Sequence, residues 1–519
     1  MLTDFREEME PWVFGIIVAV LAVFGVLKLA LPGPTRSAVQ TVHTFLLDTF
    51  GGLFLVMMLV FVVFLLLLIV GPWGSIRLGG PDASPGYTYP AYFAMFFSAG
   101  LAAGIVWSAP SGAISHFGSP PPFVSGQAES AAVVPGAVQA TLLNSGIHAW
   151  SSYIVVGVPI AYYAYNKGAS LRFSTILMPF IGRERLDSPV AKFVDILAVF
   201  ATIGGLATSV GLVGRQFLSG VEYNWGVQMG AIDTVIVVAG IAIIFTVSVI
   251  SGVNRGIRRI ATVNLGLVTV LGVLLLLLGP LVFVARTGAA SVSGYVVDFL
   301  PMTFGPLMLG EGSSQWYNFW TLFYWIWWWS WAPFVGLFLA AISKGRTIRT
   351  VALTGVGATL LTFVWYIILG ATTLQRQVSG IVDVLGVVSE YGSAVTPIPV
   401  VASLPFGDLL VLLFMALIIT AIVTSADTST LTVAILATKR GVPPSTATRA
   451  FWGGLQGAVA VGVMLAGGPG ALQSAAIVTG GPIGILMLVG VVGLLWQLVT
   501  ADIEGGWTLG PADEVDESD

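Results

Sequence analysis

Long apolar runs alternate with short stretches that collect the charges, prolines and glycine clusters. Twelve runs are long enough to cross a bilayer. They lie near residues 11–31, 48–70, 89–109, 139–165, 191–219, 232–251, 260–285, 316–342, 349–371, 407–437, 447–467 and 478–500. About 20 apolar residues suffice for one transmembrane helix. The runs lack the polar–apolar alternation over about ten residues that membrane β-strands show. The pattern predicts an all-α polytopic membrane protein with twelve transmembrane helices. Segments 291–305 and 378–405 are only partly apolar and predict short helices on the outer face. Residues 502–519 are acidic and aperiodic, which predicts a disordered tail.

Composition narrows the class. Hydrophobic residues make up 56% of the 519 positions and charged residues 9%, with mean hydropathy +0.94. A soluble domain carries about 25% charged residues. A soluble enzyme, a nucleic-acid binder and a disordered chain are thereby excluded. Cysteine is absent, which removes disulfides, thiol catalysis and thiolate metal sites. His43, His116 and His148 are too scattered for a metal site, and no cofactor is expected. The acidic start (Asp4, Glu7, Glu8, Glu10) argues against a cleaved signal peptide. Fifteen of the 21 lysines and arginines follow even-numbered spans. The positive-inside rule then places both termini in the cytoplasm of a cell-membrane protein.

Spans three and eight contain residues that weaken a helix. Span three reads Phe97-Ser98-Ala99-Gly100-Leu101-Ala102-Ala103-Gly104, and span eight carries Pro333 after Trp331-Ala332. Pro333 cannot donate to the carbonyl of Trp329. Five spans separate the two interruptions, so a five-helix repeat relating them must be inverted. Matched breaks in inverted halves point to a midplane binding site of a secondary transporter, with Gly100, Gly104 and Pro333 as hinges. The competing reading of Gly100 and Gly104 is close helix packing through small residues.

Span eight is also rich in aromatics from Trp316 to Trp331. Trp316 and Trp320 sit near its outer end and suit an interfacial belt. Trp328 and Trp331 sit near its middle, and Tyr324, Trp328 and Trp331 share one helical face. Span four adds Trp150 and Tyr153. A quaternary ammonium has charge but no N–H to donate, and the negative faces of aromatic rings hold it. The alternative is core packing.

Span ten carries Thr424-Ser425-Ala426-Asp427. Two adjacent hydroxyls suit a weakly bound monovalent cation; alternatively they bond back to their own helix. Asp427 reads as a capping or pairing residue, and Asp195 and Asp233 as solvated helix-end residues. Arg215 either meets a substrate carboxylate or snorkels to the interface. His148 is expected to make a helix–helix hydrogen bond. No paired acid and base lie within the spans, so an enzyme is not expected.

These residues resemble the betaine/choline/carnitine transporter (BCCT) family. Trp320–Gly336 and Ile342–Arg349 carry the resemblance most specifically. Ordered matches continue through Phe97–Gly104, His148–Tyr153, Thr208–Gly211, Thr246–Ser248, Ser251–Ile257, Thr424–Asp427 and Arg449–Gly453. The resemblance implies a leucine-transporter-like core of two inverted five-helix repeats, preceded by two extra helices, working by alternating access and commonly as a homotrimer. It divides the chain into 1–88, two peripheral helices; 89–285, the first repeat; 286–315, an extracellular connection; 316–500, the second repeat; and 501–519, the tail. It implies an aromatic box of Trp150, Tyr153, Trp328 and Trp331, with Trp327 and Phe334 as neighbours. It implies sodium held by carbonyls of Ser98, Leu101 and Ala421 and hydroxyls of Thr424 and Ser425. Thr208 and Ser209 are candidates for a second cation.

Three places depart from the family pattern. Ser145 stands where a tryptophan is expected, Leu101-Ala102 where Met-Gly is expected, and Gly112-Ala113 where Glu-Pro is expected. One wall of the box is therefore expected to be open. The implied activity is sodium-coupled import of a betaine-like compatible solute. Proton-coupled or exchange transport of choline, carnitine or an amino-acid-like solute, and a passive channel, are the alternatives. The tail is too short and acidic for the basic osmosensing segment of some relatives. Five lysines against sixteen arginines, with acidic ends, suggest a halophilic prokaryote.

Overall fold

The computed structural model describes residues 2–251 and 257–505, apart from some side chains (those of 101–103, 105 and 465–472 among them). The described residues contain helices and no strand, with two isolated bridges, Met9–Thr438 and Arg77–Thr347. The long helices are α1 Pro11–Ala30, α2 Pro32–Val70, α3 Tyr89–Gly118, α4 Val134–Ser145, α5 Ile147–Asn166 and α6 Pro189–Trp225. They continue with α7 Ala231–Ser251, α8 Ile257–Leu278, α9 Leu281–Val297, α10 Thr321–Ile342, α11 Ile348–Val378, α12 Gly407–Ala437 and α13 Thr446–Gly505. Nine helices among the described residues are long and apolar enough to cross a membrane. The runs predicted as spans three, four and eleven are also helical, but α3 to α5 carry more polar residues.

Local chemistry sets several helix ends. Proline occupies the first turn of α1, α2 and α6, where its missing N–H costs nothing. Thr347 caps α11 by accepting the Thr350 N–H at 3.1 Å. Gly226, at φ 66°, closes α6 in the left-handed conformation.

Some predicted boundaries are corrected. Helix α2 begins at Pro32, not near 48, and its 39 residues run well beyond one bilayer crossing. Span seven stops at Leu278, because Pro280 follows Gly279, and α9 is a separate helix. The acidic tail beyond 505 lies outside the described residues.

Helix α13 covers spans eleven and twelve. A straight helix of its 60 residues would run about 90 Å. A Cβ on Gly453 would meet Thr246 and one on Gly457 would meet Ala242, so the first arm runs against α7. Gly480 abuts Ile326 and Gly484 abuts Trp329, so the second arm runs alongside α10. The two predicted spans are thus parts of one continuous helix, Thr446–Gly505. Gly467-Gly468-Pro469-Gly470 lies between them in sequence.

The packing pattern repeats between the two halves. Helix α3 packs on α8, α11 and α12, while α10 packs on α5, α6 and α13. These sets correspond when α3 is paired with α10, α5 with α11, α6 with α12 and α8 with the second arm of α13. The periphery is distinct: only 11% of the apolar window of α1 is buried, against 94% for α10. Helix α10 is the centre of the bundle.

One face gathers the basic loops, and there arginines bind the ends of other helices. Arg349 donates to Ile69 and Gly71 carbonyls at the end of α2, at 2.7 and 3.0 Å. Arg449 donates to Val249 O near the end of α7, at 3.0 Å. Arg172 donates to Leu436 O and Thr438 O at the end of α12 and pairs with Asp195 at 2.9 Å. The cations meet the negative ends of helix dipoles. Asp195, expected to be solvated, is buried because Arg172 and Ser174 satisfy it. Glu8 accepts from Ser445 and Thr448 at the start of α13, and Glu10 pairs with Lys192 at 2.9 Å.

Candidate functional site

Helix α3 does not unwind at Gly100 or Gly104, and α10 runs through Pro333. The expected interruptions are therefore not open segments. The break lies in span four instead, at Gly146 between α4 and α5. A Cβ on Gly146 would sit 2.4 Å from the Phe363 ring, so close packing accounts for the glycine. The break frees carbonyls near the end of α4, and tryptophans of α10 bind them. Trp328 Nε1 donates to Asn144 O at 2.7 Å, and Trp325 Nε1 to Leu143 O at 3.5 Å.

The glycines of α3 instead create room for aromatics. A Cβ on Gly100 would lie 2.8 Å from the Trp150 ring and 2.9 Å from that of Tyr153. One turn on, a Cβ on Gly104 would lie 3.2 Å from Trp327. Both glycines therefore sit at close contacts with aromatic rings. Two aromatic groups flank this glycine stripe. In the first, Trp150 stacks on Phe96 and Phe97 and meets Tyr153 edge-on at 5.7 Å. Its indole donates to Thr362 at 3.1 Å, and Tyr153 donates to Gly100 O at 3.3 Å.

The second group belongs to α10. Trp327 stacks on Trp328 at 5.2 Å with 12° between planes. Trp331 stands edge-on to both, at 6.0 Å, and meets Phe334 at 5.4 Å. All are buried, and Trp331 Nε1 has no hydrogen-bond partner. No ring pair among the described residues joins the two groups. Trp316 and Trp320, expected in a membrane belt, are partly exposed and pack against His116, at 5.4 and 4.6 Å.

The candidate cation residues divide differently. Helices α3 and α12 pack together. Ser98 donates to Ala261 O at 3.3 Å, and Ala421 is buried. The Leu101 side chain lies outside the described residues. Thr424 bonds back to Thr420 O at 2.8 Å, whereas the buried Ser425 hydroxyl has no partner. Asp427 bonds Ser248 through one oxygen while the other is unpartnered. Thr208 and Ser209 bond back to Gly204 O and Gly205 O. The groups that could hold a cation here are oxygens without a fixed carboxylate ligand set. No group of three His, Asp or Glu suited to a metal occurs among the described residues.

A vestibule of about 400 Å³ opens on the face opposite the basic loops. Its lining includes Trp107, Arg215, Trp320, Phe323 and Tyr324. Arg215 is exposed to it. His148 makes the expected interhelical bond, to Thr303 at 3.1 Å, between the rings of Phe299 and Trp325. Sequence reasoning missed Thr362, Tyr366 and His116 as neighbours of the site. The first two lie in an apolar run without a helix-breaking signal, beside Trp365.

A profile of the family described as BCCT, betaine/carnitine/choline family transporter, matches residues 12–502. The glycine betaine transporter OpuD of Bacillus subtilis (strain 168) is 33% identical over 496 residues, 94% of each chain. A glycine betaine/proline/choline/ectoine transporter of Vibrio parahaemolyticus is 31% identical, over 96% of this chain and 90% of its own. Among solved structures, MhsT in complex with L-phenylalanine aligns with TM-score 0.47 and 13% identity, covering 82% of this chain and 91% of that one.

Proposed function

The chain belongs to the BCCT family of transporters, and from that membership we propose that it imports a betaine-like quaternary ammonium solute by sodium-coupled alternating access. The observation that carries the reading is the dry cluster of Trp327, Trp328, Trp331 and Phe334 at the centre of the bundle. Its ring faces suit a trimethylammonium group, which no hydrogen-bond acceptor serves better. Trp150 and Tyr153 complete the box from α5 when the glycine stripe of α3 shifts. The unpartnered Trp331 N–H is a donor for the solute's carboxylate, and the exposed Arg215 attracts that carboxylate into the vestibule.

Sodium binds beside the unpartnered Ser425 hydroxyl, with Thr424 turning from its back-bond, between α12 and the Ser98–Leu101 turn of α3. The relatives named for glycine betaine support the substrate class. The basic face is cytoplasmic, the vestibule faces outward, and the protein works as a homotrimer.

The test is uptake of labelled glycine betaine by sealed proteoliposomes. Accumulation above equilibrium, driven by an inward sodium gradient, is expected. Mere equilibration would indicate a channel. Accumulation driven only by a proton gradient would replace sodium as the coupling ion. Trp331→Leu is expected to weaken uptake affinity about 30-fold, the equivalent of about 2 kcal/mol for one desolvated cation–π contact. Undiminished affinity would remove the cage.

A further inference from the structure

Behind the vestibule lies a crevice at the wall of the aromatic box. It holds about 160 Å³ of space between atoms and is too narrow for water. Ser108, His116, Asn144, Ser145, Tyr324 and Tyr366 line it. Tyr324 lines the vestibule as well, so one ring separates the two spaces. Trp320 stacks over that ring at 6.5 Å and 9°.

Its polar atoms are unusually ill served. Both ring nitrogens of His116 and the Oδ1 of Asn144 are buried without a hydrogen-bond partner. Buried polar groups in proteins are nearly always paired, and an unpaired one retains its full desolvation cost. Nearby, Tyr366 donates to Ser145 Oγ at 2.8 Å and bonds Ser108 Oγ at 2.5 Å. That leaves the hydrogen of the Ser145 hydroxyl free to be donated. Ser145 is also one of the positions where the chain departs from the family pattern. The crevice adjoins the cage directly, because the Asn144 carbonyl accepts the Trp328 indole.

We infer that this crevice is a polar subsite that opens when Tyr324 moves and receives a hydroxyl on a short arm of a quaternary ammonium solute. The inference rests on the cage reading above. The donor set selects the hydroxyl. Ser145 donates, Asn144 Oδ1 accepts, and both ring nitrogens of His116 are left to be paired. A hydroxyl both donates and accepts, so it satisfies this mixture. A carboxylate only accepts, and no cationic side chain lines the crevice to meet it.

The test compares choline with n-propyltrimethylammonium, in which a methyl replaces the hydroxyl, as competitors of labelled glycine betaine on the purified full-length protein. Choline is expected to have an inhibition constant about tenfold lower, the effect of one net hydrogen bond. Ser145→Ala and His116→Phe are each expected to shrink that ratio, with folding checked by thermal unfolding of each variant. Equal constants in the native protein overturn the inference without any variant. A ratio unchanged in both variants overturns it too. If neither compound displaces glycine betaine, the cage reading fails, and the subsite falls with it.

Discussion

The two ends of the molecule are closed by different chemistry. At the basic face, charged side chains of one helix seize the carbonyl ends of another, as Arg172 does for α12 and Arg349 for α2. At the opposite face a vestibule of about 400 Å³ descends to Trp320 and Tyr324, and aromatic stacking forms its floor. Charge-assisted hydrogen bonds are strong in a dry interface but exchange readily once water enters. The basic face is therefore held by charge-assisted hydrogen bonds, and the vestibule floor by ring contacts.

The sharpest way to break this comparison uses the absence of cysteine, because a single introduced thiol has no background. Ser393→Cys in the exposed vestibule rim should react with a maleimide on the order of 100-fold faster than Ala191→Cys, buried at the basic face. Comparable rates in detergent-purified protein would erase the distinction.

Arg172→Met comes next. It leaves Asp195 buried without its cation and two carbonyls without donors. A loss of about 3–5 kcal/mol is expected from breaking a buried pair on one side, read as a drop in unfolding midpoint. A loss below about 1 kcal/mol would mean that water already reaches the pair. Arg349→Met removes two hydrogen bonds to α2 from a half-buried site. About 1.5–3 kcal/mol should be lost, and only the α2 end should gain hydrogen exchange. The smallest effect belongs to Lys192→Ala, whose partner Glu10 is partly in solvent. At most about 1 kcal/mol is expected, diminishing in high salt.

Much of this was legible in the chain. Apolar run length located helices, and the cation count separated the faces. The tryptophans singled out in span eight do form one buried cluster. Legibility failed where a residue's role depends on what it meets. Gly100 and Gly104 read equally as hinge or as packing notch, and the rings of Trp150 and Trp327 that press against them are invisible in the chain. Asp195 reads as a solvated helix-end residue until Arg172 is folded onto it from 23 positions away. Nothing local to Trp320 shows that His116 lies beside it.

The sequence by itself determined that the chain is an all-helical membrane transporter with an aromatic centre. Hydrophobicity, helix length and charge asymmetry are local and accumulate along the chain. Tertiary structure alone decided where the helix break lies, which arginines bind which helix ends, and that Ser145, His116 and Asn144 enclose an unsatisfied crevice. Hydrogen-bond satisfaction is a property of neighbours brought together by folding, and no local pattern records it.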